Sequence, residues 1–323
     1  MNVTGVQAAC ASPESLDWDI DRAVGELRAL RDASLAARQR AARPVKLPSR
    51  KSLTAIIDGL GAALFPNRLG SRELADASVD FFVGRMLDIA LRELVEQLRR
   101  EIELDPTRPE EGRTKESADR SRREAVAIVR RFAERLPAVR KLLETDIEAV
   151  FVADPAARSI DEVLACYPGV TAVTHYRLAH ELFSLGAPLV ARMISEIAHS
   201  LTGIDIHPGA KIGESFCIDH GTGVVIGETT VIGRRVRIYH GVTLGAKTVR
   251  PGDDELPLTA EPRHPVVEDD VVIYAGATVL GHVTIGACST IGGNVWLTAS
   301  VPTGSTIEQA EARNAEFDGG SGI

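Results

Sequence analysis

The sequence is poor in aromatic residues and has no excess of positive charge. Aromatic side chains make up 4% of the 323 residues, so any core must be built from Val, Ile, Leu and Ala. The formal net charge is −8, which argues against a general nucleic-acid partner. A hydrophobic fraction of 44% and a charged fraction of 25% are typical of a folded chain. At this length more than one domain is expected.

Cysteines and long hydrophobic runs are also scarce. No two of the four cysteines form a Cys-x-x-Cys pair, so neither a disulfide framework nor a zinc knuckle is predicted. The first residues lack the basic and apolar segments of a signal peptide. The longest apolar stretches, 54–65 and 183–194, are too short or too interrupted to span a bilayer. These features predict a cytoplasmic protein with no membrane partner.

Helical periodicity marks the first 202 residues. Apolar residues recur every three to five positions, and Pro and Gly separate the segments that have this spacing. The pattern predicts helices over 13–40, 81–102, 124–150, 170–185 and 188–201. Residues 36–50 and the charge-rich stretch 103–123 are predicted to be connectors. The front of the chain is therefore expected to be all-helical.

A six-residue repeat replaces the helical pattern after residue 203. Thirteen aliphatic residues mark it, with a slip of two residues after the third and a longer gap after the seventh. They are Ile206, Ile212, Ile218, Ile226, Ile232, Ile238, Leu244, Val267, Ile273, Val279, Ile285, Ile291 and Leu297. Gly often follows the aliphatic residue and permits a tight turn. A hexapeptide period is typical of a parallel β-helix and distinguishes it from an ordinary β-sandwich.

The gap in the repeat is a polar, Pro-containing insert over residues 246–262. A long loop within a regular solenoid is often functional, although a tolerated surface insertion is the simpler alternative.

Ionisable residues cluster near the two irregularities of the repeat: Asp205, His207, Asp219, His220, Arg263 and His264. A single histidine is most often a surface or core residue, but this coincidence indicates a site. Histidine is the natural general base near neutral pH, and an Asp partner fixes its tautomer. Asp205 and His220 are fifteen residues apart, which places them on adjacent coils if a coil has eighteen. An arginine such as Arg263 is suited to grip a substrate carboxylate. A zinc-binding histidine cluster is the alternative.

Four motifs give a specific family resemblance. The sequence reads Asp205-Ile-His-Pro-Gly-Ala-Lys-Ile-Gly, then Asp219-His-Gly-Thr-Gly-Val-Val-Ile-Gly-Glu, Val242-Thr-Leu-Gly and Arg263-His-Pro. Together they resemble serine O-acetyltransferase, a member of the hexapeptide-repeat acyltransferase superfamily. Upstream, Asp154-Pro-Ala and Tyr176-Arg-Leu-Ala-His resemble its helical domain. The match covers about residues 150–302.

The resemblance implies an α+β chain in two parts, an all-helical N-terminal domain followed by a left-handed parallel β-helix. It divides the chain into a helical extension (1–140), a family-type helical domain (141–202), the β-helix with loop 246–262 (203–302) and a flexible acidic tail (303–323). It also implies a homotrimer or a dimer of trimers, with acetyl-CoA between neighbouring subunits. No chemistry is assigned to the extension.

By position, the resemblance makes His220 the general base and Asp205 its catalytic partner. The implied serine-binding set is Asp154, Asp219, Arg263 and His264, and the implied coenzyme-binding wall is Gly245, Ala246, Ala275 and Gly276. Acetyl-CoA is expected as a co-substrate, with no permanently bound cofactor and no metal. L-cysteine is expected as a feedback inhibitor that competes with L-serine.

The end of the chain carries one further implied role. In this family a C-terminal Ile inserts into the active site of O-acetylserine sulfhydrylase, and this chain ends in Ile323. A frayed terminus is the alternative. The loop after Gly245 departs from the Gly-rich family pattern, which affects the expected coenzyme contacts. Two other functions stay open: acetyl transfer to another small acceptor (homoserine, a sugar or an antibiotic) and a non-catalytic scaffold.

Overall fold

A computed structural model describes residues 18–37, 46–70, 78–105, 115–247 and 261–309. The chain divides into two compact units, residues 1–46 and 47–323. The described part of the first unit consists mainly of helix α1 (Ile20–Ala37), within the helix predicted over 13–40. No helix of the described residues is both long enough and apolar enough to cross a membrane.

The second unit begins with helices and continues as a β-solenoid. Its helices in the described ranges are α2 (Arg50–Leu64), α3 (Pro66–Leu69), α4 (Val79–Leu104), α5 (Lys115–Ala153), α6 (Ile160–Cys166), α7 (Pro168–Ser184) and α8 (Pro188–Thr202). Local signals set several of these bounds. The Ser49 and Ser159 hydroxyls cap the first turns of α2 and α6, and Gly203 ends α8 in the left-handed region at φ +70°.

Helix α5 is longer than the sequence pattern predicts. It covers 39 residues and continues through Pro137, whereas the predicted helix spans 124–150. It also runs unbroken across residue 140, so the predicted domain boundary there falls inside a helix and stays a prediction. Helices α7 and α8 match their predicted ranges closely, while α2, α3 and α6 were not predicted.

The solenoid contains fourteen short strands in the described residues. They are β1 (Asp205–Ile206), β2 (Lys211–Ile212), β3 (Cys217–Asp219), β4 (Val225–Ile226), β5 (Val231–Ile232), β6 (Arg237–Tyr239), β7 (Thr243–Gly245), β8 (Val266–Val267), β9 (Val272–Ile273), β10 (Thr278–Leu280), β11 (Thr284–Ile285), β12 (Thr290–Ile291), β13 (Trp296–Leu297) and β14 (Thr306–Ile307). Sheet A is β1-β4-β7-β10-β13, sheet B is β2-β5-β8-β11, and sheet C is β3-β6-β9-β12-β14. The chain visits A, B and C in turn as far as β13, after which an isolated bridge between Val301 and Ile285 replaces the sheet B strand. The solenoid is therefore a three-sided prism. We call the turn from C to A the C–A corner and the turn from A to B the A–B corner.

The predicted aliphatic tracks are the core of this prism. In sheet A, Ile206 pairs with Ile226, Ile226 with Leu244, Leu244 with Val279, and Val279 with Leu297. All thirteen predicted positions lie in strands, and all but Ile212 and Leu297 are fully buried. The parallel β-solenoid predicted from the hexapeptide period is thereby confirmed. The left hand of the coil stays an expectation of the resemblance.

Helices α5 and α7 close the first coil of the solenoid. The Arg177 guanidinium donates to both carboxylate oxygens of Asp146 at 3.0 Å and to the carbonyls of Ile212 and Gly213. The Tyr176 hydroxyl donates to the Ala210 carbonyl at 2.7 Å. The motif Tyr176-Arg-Leu-Ala-His therefore joins the helices to the solenoid.

Candidate functional site

The C–A corner after β3 presents His220 to solvent. His220 adopts a left-handed φ of +57°, and its side chain is 75% exposed. Its Nε2 lies 3.8 Å from Oδ1 of Asp219, whose other oxygen accepts a hydrogen bond from Arg237 Nη2 at 2.8 Å. The His240 ring stands edge-on to the His220 ring, with 5.8 Å between centroids. The corner thus holds an open imidazole beside an anchored carboxylate.

Asp154 directly follows α5 and interacts electrostatically with His220 and Arg237 of the same corner. The Tyr167 hydroxyl donates to its Oδ2 at 2.5 Å, and the Ala156 amide donates to its Oδ1 at 2.8 Å. The Tyr167 hydrogen bond is the main cause that lowers the pKa of Asp154, and nearby His220 and Arg237 lower it further. The same hydrogen bond raises the pKa of Tyr167 to about 12. Asp154 is therefore an ionised acceptor next to Asp219 and His220.

Two members of this corner group were missed by the sequence analysis. Tyr167 carries no local signal beyond its place at the start of α7. Arg237 is paired with Cys217 in the register of β6 and β3, so it reaches Asp219 diagonally from the next coil, and the regular repeat does not indicate this contact.

Asp205 opens sheet A at the same corner but has a different ionic partner. Its Oδ1 lies 3.6 Å from Arg192 of α8, and this oxygen is buried without a hydrogen-bond partner. Within the described residues no ion pair joins Asp205 to His220, so the predicted pairing of these two residues stays a prediction.

A small group of potential metal ligands surrounds Asp205. Ligand atoms of Glu196, His199 and Asp205 lie within 4.8 Å of one another. Arg192 pairs with both carboxylates, so its positive charge stands where a cation would bind.

Arg263 and His264 lie at the A–B corner, directly before β8. Arg263 forms an ion pair with Glu228, and its amide donates to the Thr229 hydroxyl at 2.9 Å. His264 is 7% exposed and packs against Gly227, where an added Cβ would lie 1.9 Å from its Cδ2. Burial lowers the pKa of His264 to about 4, and the charge of Arg263 contributes. The imidazole is therefore neutral at physiological pH.

The predicted coenzyme wall is divided between the two corners. Gly245 ends β7 and Ala246 follows it, on the A–B side. Ala275 and Gly276 lie at the C–A corner, where the Gly276 amide donates to the His240 carbonyl at 2.9 Å. Most of loop 246–262 lies outside the described residues. The predicted residues of one chain thus form two groups, one at each edge of sheet A.

Similarity to known sequences gives the solenoid a family context. Residues 264–299 match the family model described as bacterial transferase hexapeptide (six repeats). A plasmid serine acetyltransferase of Synechococcus elongatus is 53% identical over 277 residues, 86% of both chains. A serine acetyltransferase of Mycobacterium tuberculosis is 50% identical over 162 residues, which are 50% of this chain and 67% of that one.

Solved structures agree with these relatives. Serine acetyltransferase isoform 3 of Entamoeba histolytica, in complex with cysteine, superposes with a TM-score of 0.68 at 31% identity, covering 86% of this chain and 87% of that one. The enzyme from Brucella abortus in complex with coenzyme A gives a TM-score of 0.50 at 28% identity, covering 80% and 94%. With a relative 53% identical along most of both sequences, this chain belongs to the serine acetyltransferase family.

Proposed function

We propose that the protein transfers the acetyl group of acetyl-CoA to the hydroxyl of L-serine, giving O-acetyl-L-serine and coenzyme A, in the first step of cysteine biosynthesis. The arrangement of His220 carries this proposal. Its imidazole is open to solvent at a solenoid corner, next to a carboxylate that Arg237 holds in place. An exposed base beside fixed charges suits proton abstraction from a small polar acceptor.

The chemical step uses His220 as the general base. Its imidazole removes the hydroxyl proton while the serine oxygen attacks the thioester carbonyl. The tetrahedral intermediate then collapses, the carbon–sulfur bond breaks, and the imidazolium returns the proton to the coenzyme A thiolate. Asp205 opens the strand at the same corner and has an oxygen without a hydrogen-bond partner, which supports its role as the group that stabilises the imidazolium.

The charged groups of the two corners suit the two ends of an amino acid. Asp154 and Asp219 are anionic and stand beside His220, so they match the serine ammonium group. Arg263 and His264 offer hydrogen-bond donors to its carboxylate. Gly245, Ala246, Ala275 and Gly276 are small residues along the two edges of sheet A, which leaves room for the acetyl-CoA chain.

One site needs both groups, and a chain presents them at different corners. We infer that the C–A corner of one subunit meets the A–B corner of a neighbour, so that the site is completed in a homotrimer. The exposed apolar side chains Val225 and Trp296 on sheet A and Val231 on sheet B support association through the solenoid faces. Stacking of two trimers into a hexamer is compatible with this arrangement.

L-cysteine is the proposed inhibitor. It differs from serine by one atom, and the Entamoeba histolytica isoform 3 structure contains cysteine. The same carboxylate-binding pair would hold both amino acids. Arg263→Ala should therefore weaken serine binding and cysteine inhibition together, and an effect on coenzyme affinity alone would contradict the assignment.

The test of the main proposal is release of free thiol from acetyl-CoA with a panel of acceptors. L-serine should support turnover, whereas L-homoserine and hexosamines should be poor acceptors. Preference for another acceptor would assign a different acetyltransferase activity, and no turnover with any acceptor would favour the scaffold alternative.

The C-terminal tail is the proposed docking segment for O-acetylserine sulfhydrylase. Ile323 lies outside the described residues, so the proposal rests on the terminal Ile and the glycines that precede it. A free carboxylate next to an apolar side chain suits capture by backbone amides in an amino-acid site. Both enzymes would then act in the cytoplasm.

A further inference from the structure

The hydrogen bonds around His264 determine which of its ring nitrogens carries the proton. The backbone amide of Thr229 points at His264 Nδ1, with a nitrogen–nitrogen distance of 3.1 Å. An amide N–H only donates, so Nδ1 must be the acceptor and cannot itself be protonated. In the neutral ring the proton therefore sits on Nε2.

The Thr229 hydroxyl completes this arrangement. Its Oγ1 accepts the amide hydrogens of Arg263 at 2.9 Å and of His264 at 3.1 Å. With both acceptor positions used, its own hydrogen is left to donate, and His264 Nδ1 lies 2.8 Å away. One threonine thus fixes both the backbone and the ring of the segment that carries the proposed carboxylate-binding residues.

We propose that Thr229 is a positioning residue that holds His264 as a neutral, Nε2-protonated imidazole, which offers its Nε2–H as a fixed donor to the amino-acid carboxylate. The ligand in this statement rests on the proposed function, whereas the tautomer and the clamp are properties of the chain itself. His264 is consequently a binding group and not a second base, because its unprotonated nitrogen, Nδ1, already accepts hydrogen bonds from Thr229.

The charges around His264 act in both directions, and burial decides the outcome. The positive charge of Arg263, and that of His207 when it is protonated, disfavours protonation of the His264 ring, whereas the negative charge of Glu228 favours it. The His282 Nδ1 lies 3.1 Å from the His264 carbonyl and contacts the backbone, not the ring. Burial has the largest effect and the charge of Arg263 adds to it, so the pKa of His264 falls to about 4. Protonation of His264 is therefore unfavourable throughout the range in which a free histidine titrates, about pH 6.5.

The first experiment needs no activity. The full-length protein is labelled with 13C-histidine, and the His264 signals are assigned by their loss in His264→Gln. The Cδ2 chemical shift should report the Nε2–H tautomer, and it should not move between pH 8 and pH 5.5. An Nδ1–H tautomer, or titration near pH 6.5, would overturn the proposal even if the enzyme transfers acetyl to serine as expected.

The second experiment compares Thr229→Val, which removes only the hydroxyl, with Thr229→Ser, which keeps it. At pH 8, Thr229→Val should raise KM for L-serine about tenfold, the usual effect of losing a hydrogen bond to a charged group. Thr229→Ser should restore the wild-type KM. Burial, the charge of Arg263 and the Thr229 amide all remain in the valine variant, so the ring should stay neutral and lose only its fixed orientation. The ratio of variant to wild-type KM should therefore be the same at pH 6 and pH 8, with kcat little changed.

A KM ratio that changes between pH 6 and pH 8, an effect on kcat in place of KM, or failure of Thr229→Ser to restore KM would contradict the positioning role. If Thr229→Val does not fold, the wild-type spectrum still decides the tautomer. A wild-type protein without serine acetylation but with the expected spectrum would refute the proposed function and leave the clamp standing.

Discussion

Arg237 holds Asp219 from the next coil of the solenoid, with 2.8 Å between Nη2 and Oδ2. The second oxygen of this carboxylate faces Nε2 of His220 at 3.8 Å. Because Arg237 and Asp219 occupy paired strands β6 and β3, the position of this carboxylate is set by the register of the core and not by a flexible loop.

Replacing His220 by alanine should abolish acetyl transfer without disturbing the fold. The side chain is exposed, so its removal leaves no cavity, whereas loss of a general base costs about 10²–10⁴ in rate. The measurement is thiol release at saturating serine, with size-exclusion chromatography as the control for assembly. Asp205→Asn should be milder, because it removes the partner and not the base. Residual activity of His220→Ala above about a tenth of wild type would argue against general-base catalysis by His220.

Subunit mixing should reveal a shared site. His220→Ala and Arg263→Ala damage different corners of the prism, so each homotrimer should be nearly inactive. If every site takes its base from one chain and its cation from the next, random co-assembly at equal amounts leaves about a quarter of the sites intact. Trimers selected for both tags contain both variants and keep one intact site in three, so their activity should be about a third of the wild-type value. Activity no higher than that of either variant alone would place both groups in one chain or outside the site.

Much of this arrangement could be predicted from sequence, for a physical reason. The thirteen aliphatic residues recur within a short, nearly regular interval, and each one packs in the core. Their period therefore predicts both the path of the coil and the residues that fill it. The histidines and acids of the site follow local motifs as well. Thr229 and Tyr167 were missed because their contacts arise only on folding: Thr229 meets His264 across 35 residues that include the insert, and Tyr167 meets Asp154 from another helix. Helix α2 was missed although its buried residues Leu53, Ile56, Ile57 and Leu60 recur at helical spacing, so here the signal was present in the sequence.

Gly227→Ala should displace the His264 ring. The new Cβ would lie 1.9 Å from Cδ2 and 2.1 Å from Nε2, far inside van der Waals contact. We expect KM for serine to rise at least tenfold and the melting temperature to fall. Gly84→Ala in helix α4 is the matched control, because its Cβ meets nothing within 4 Å. That change should leave kinetics unaltered and stabilise the protein by about 0.5–1 kcal/mol. An unchanged KM in Gly227→Ala would mean that the position of the His264 ring has no effect on substrate binding.

The buried pair of Arg177 and Asp146 should be far more sensitive to single than to double substitution. Their side chains are only 5% and 4% exposed, so Arg177→Met leaves an unpaired carboxylate inside the protein. The expected loss of unfolding free energy is about 3–5 kcal/mol, and Asp146→Leu in the same chain should recover part of it. Chemical denaturation of the three variants gives the coupling. Strictly additive losses would show that the pair contributes no mutual stabilisation.

Deleting Ile323 should abolish binding to the cognate sulfhydrylase and leave acetyl transfer unchanged. Both the apolar side chain and the correctly placed carboxylate are lost, whereas the proposed catalytic residues are untouched. Calorimetric titration measures the complex, and a synthetic peptide ending in Ser-Gly-Ile should compete with it. Undiminished heat of binding by the deletion variant would exclude the tail as the docking segment.

The junction of helix and solenoid has a consequence for solubility. A stack of parallel coils ends in open strand edges, which in general invite another chain to add on as a further layer. Here four backbone groups of the first coil are already occupied: side chains of α7 bind the carbonyls of Ala210, Ile212 and Gly213, and Asp146 binds the amide of Phe216. The helical domain therefore protects that end against aggregation and runaway polymerisation, independently of any part it has in assembly.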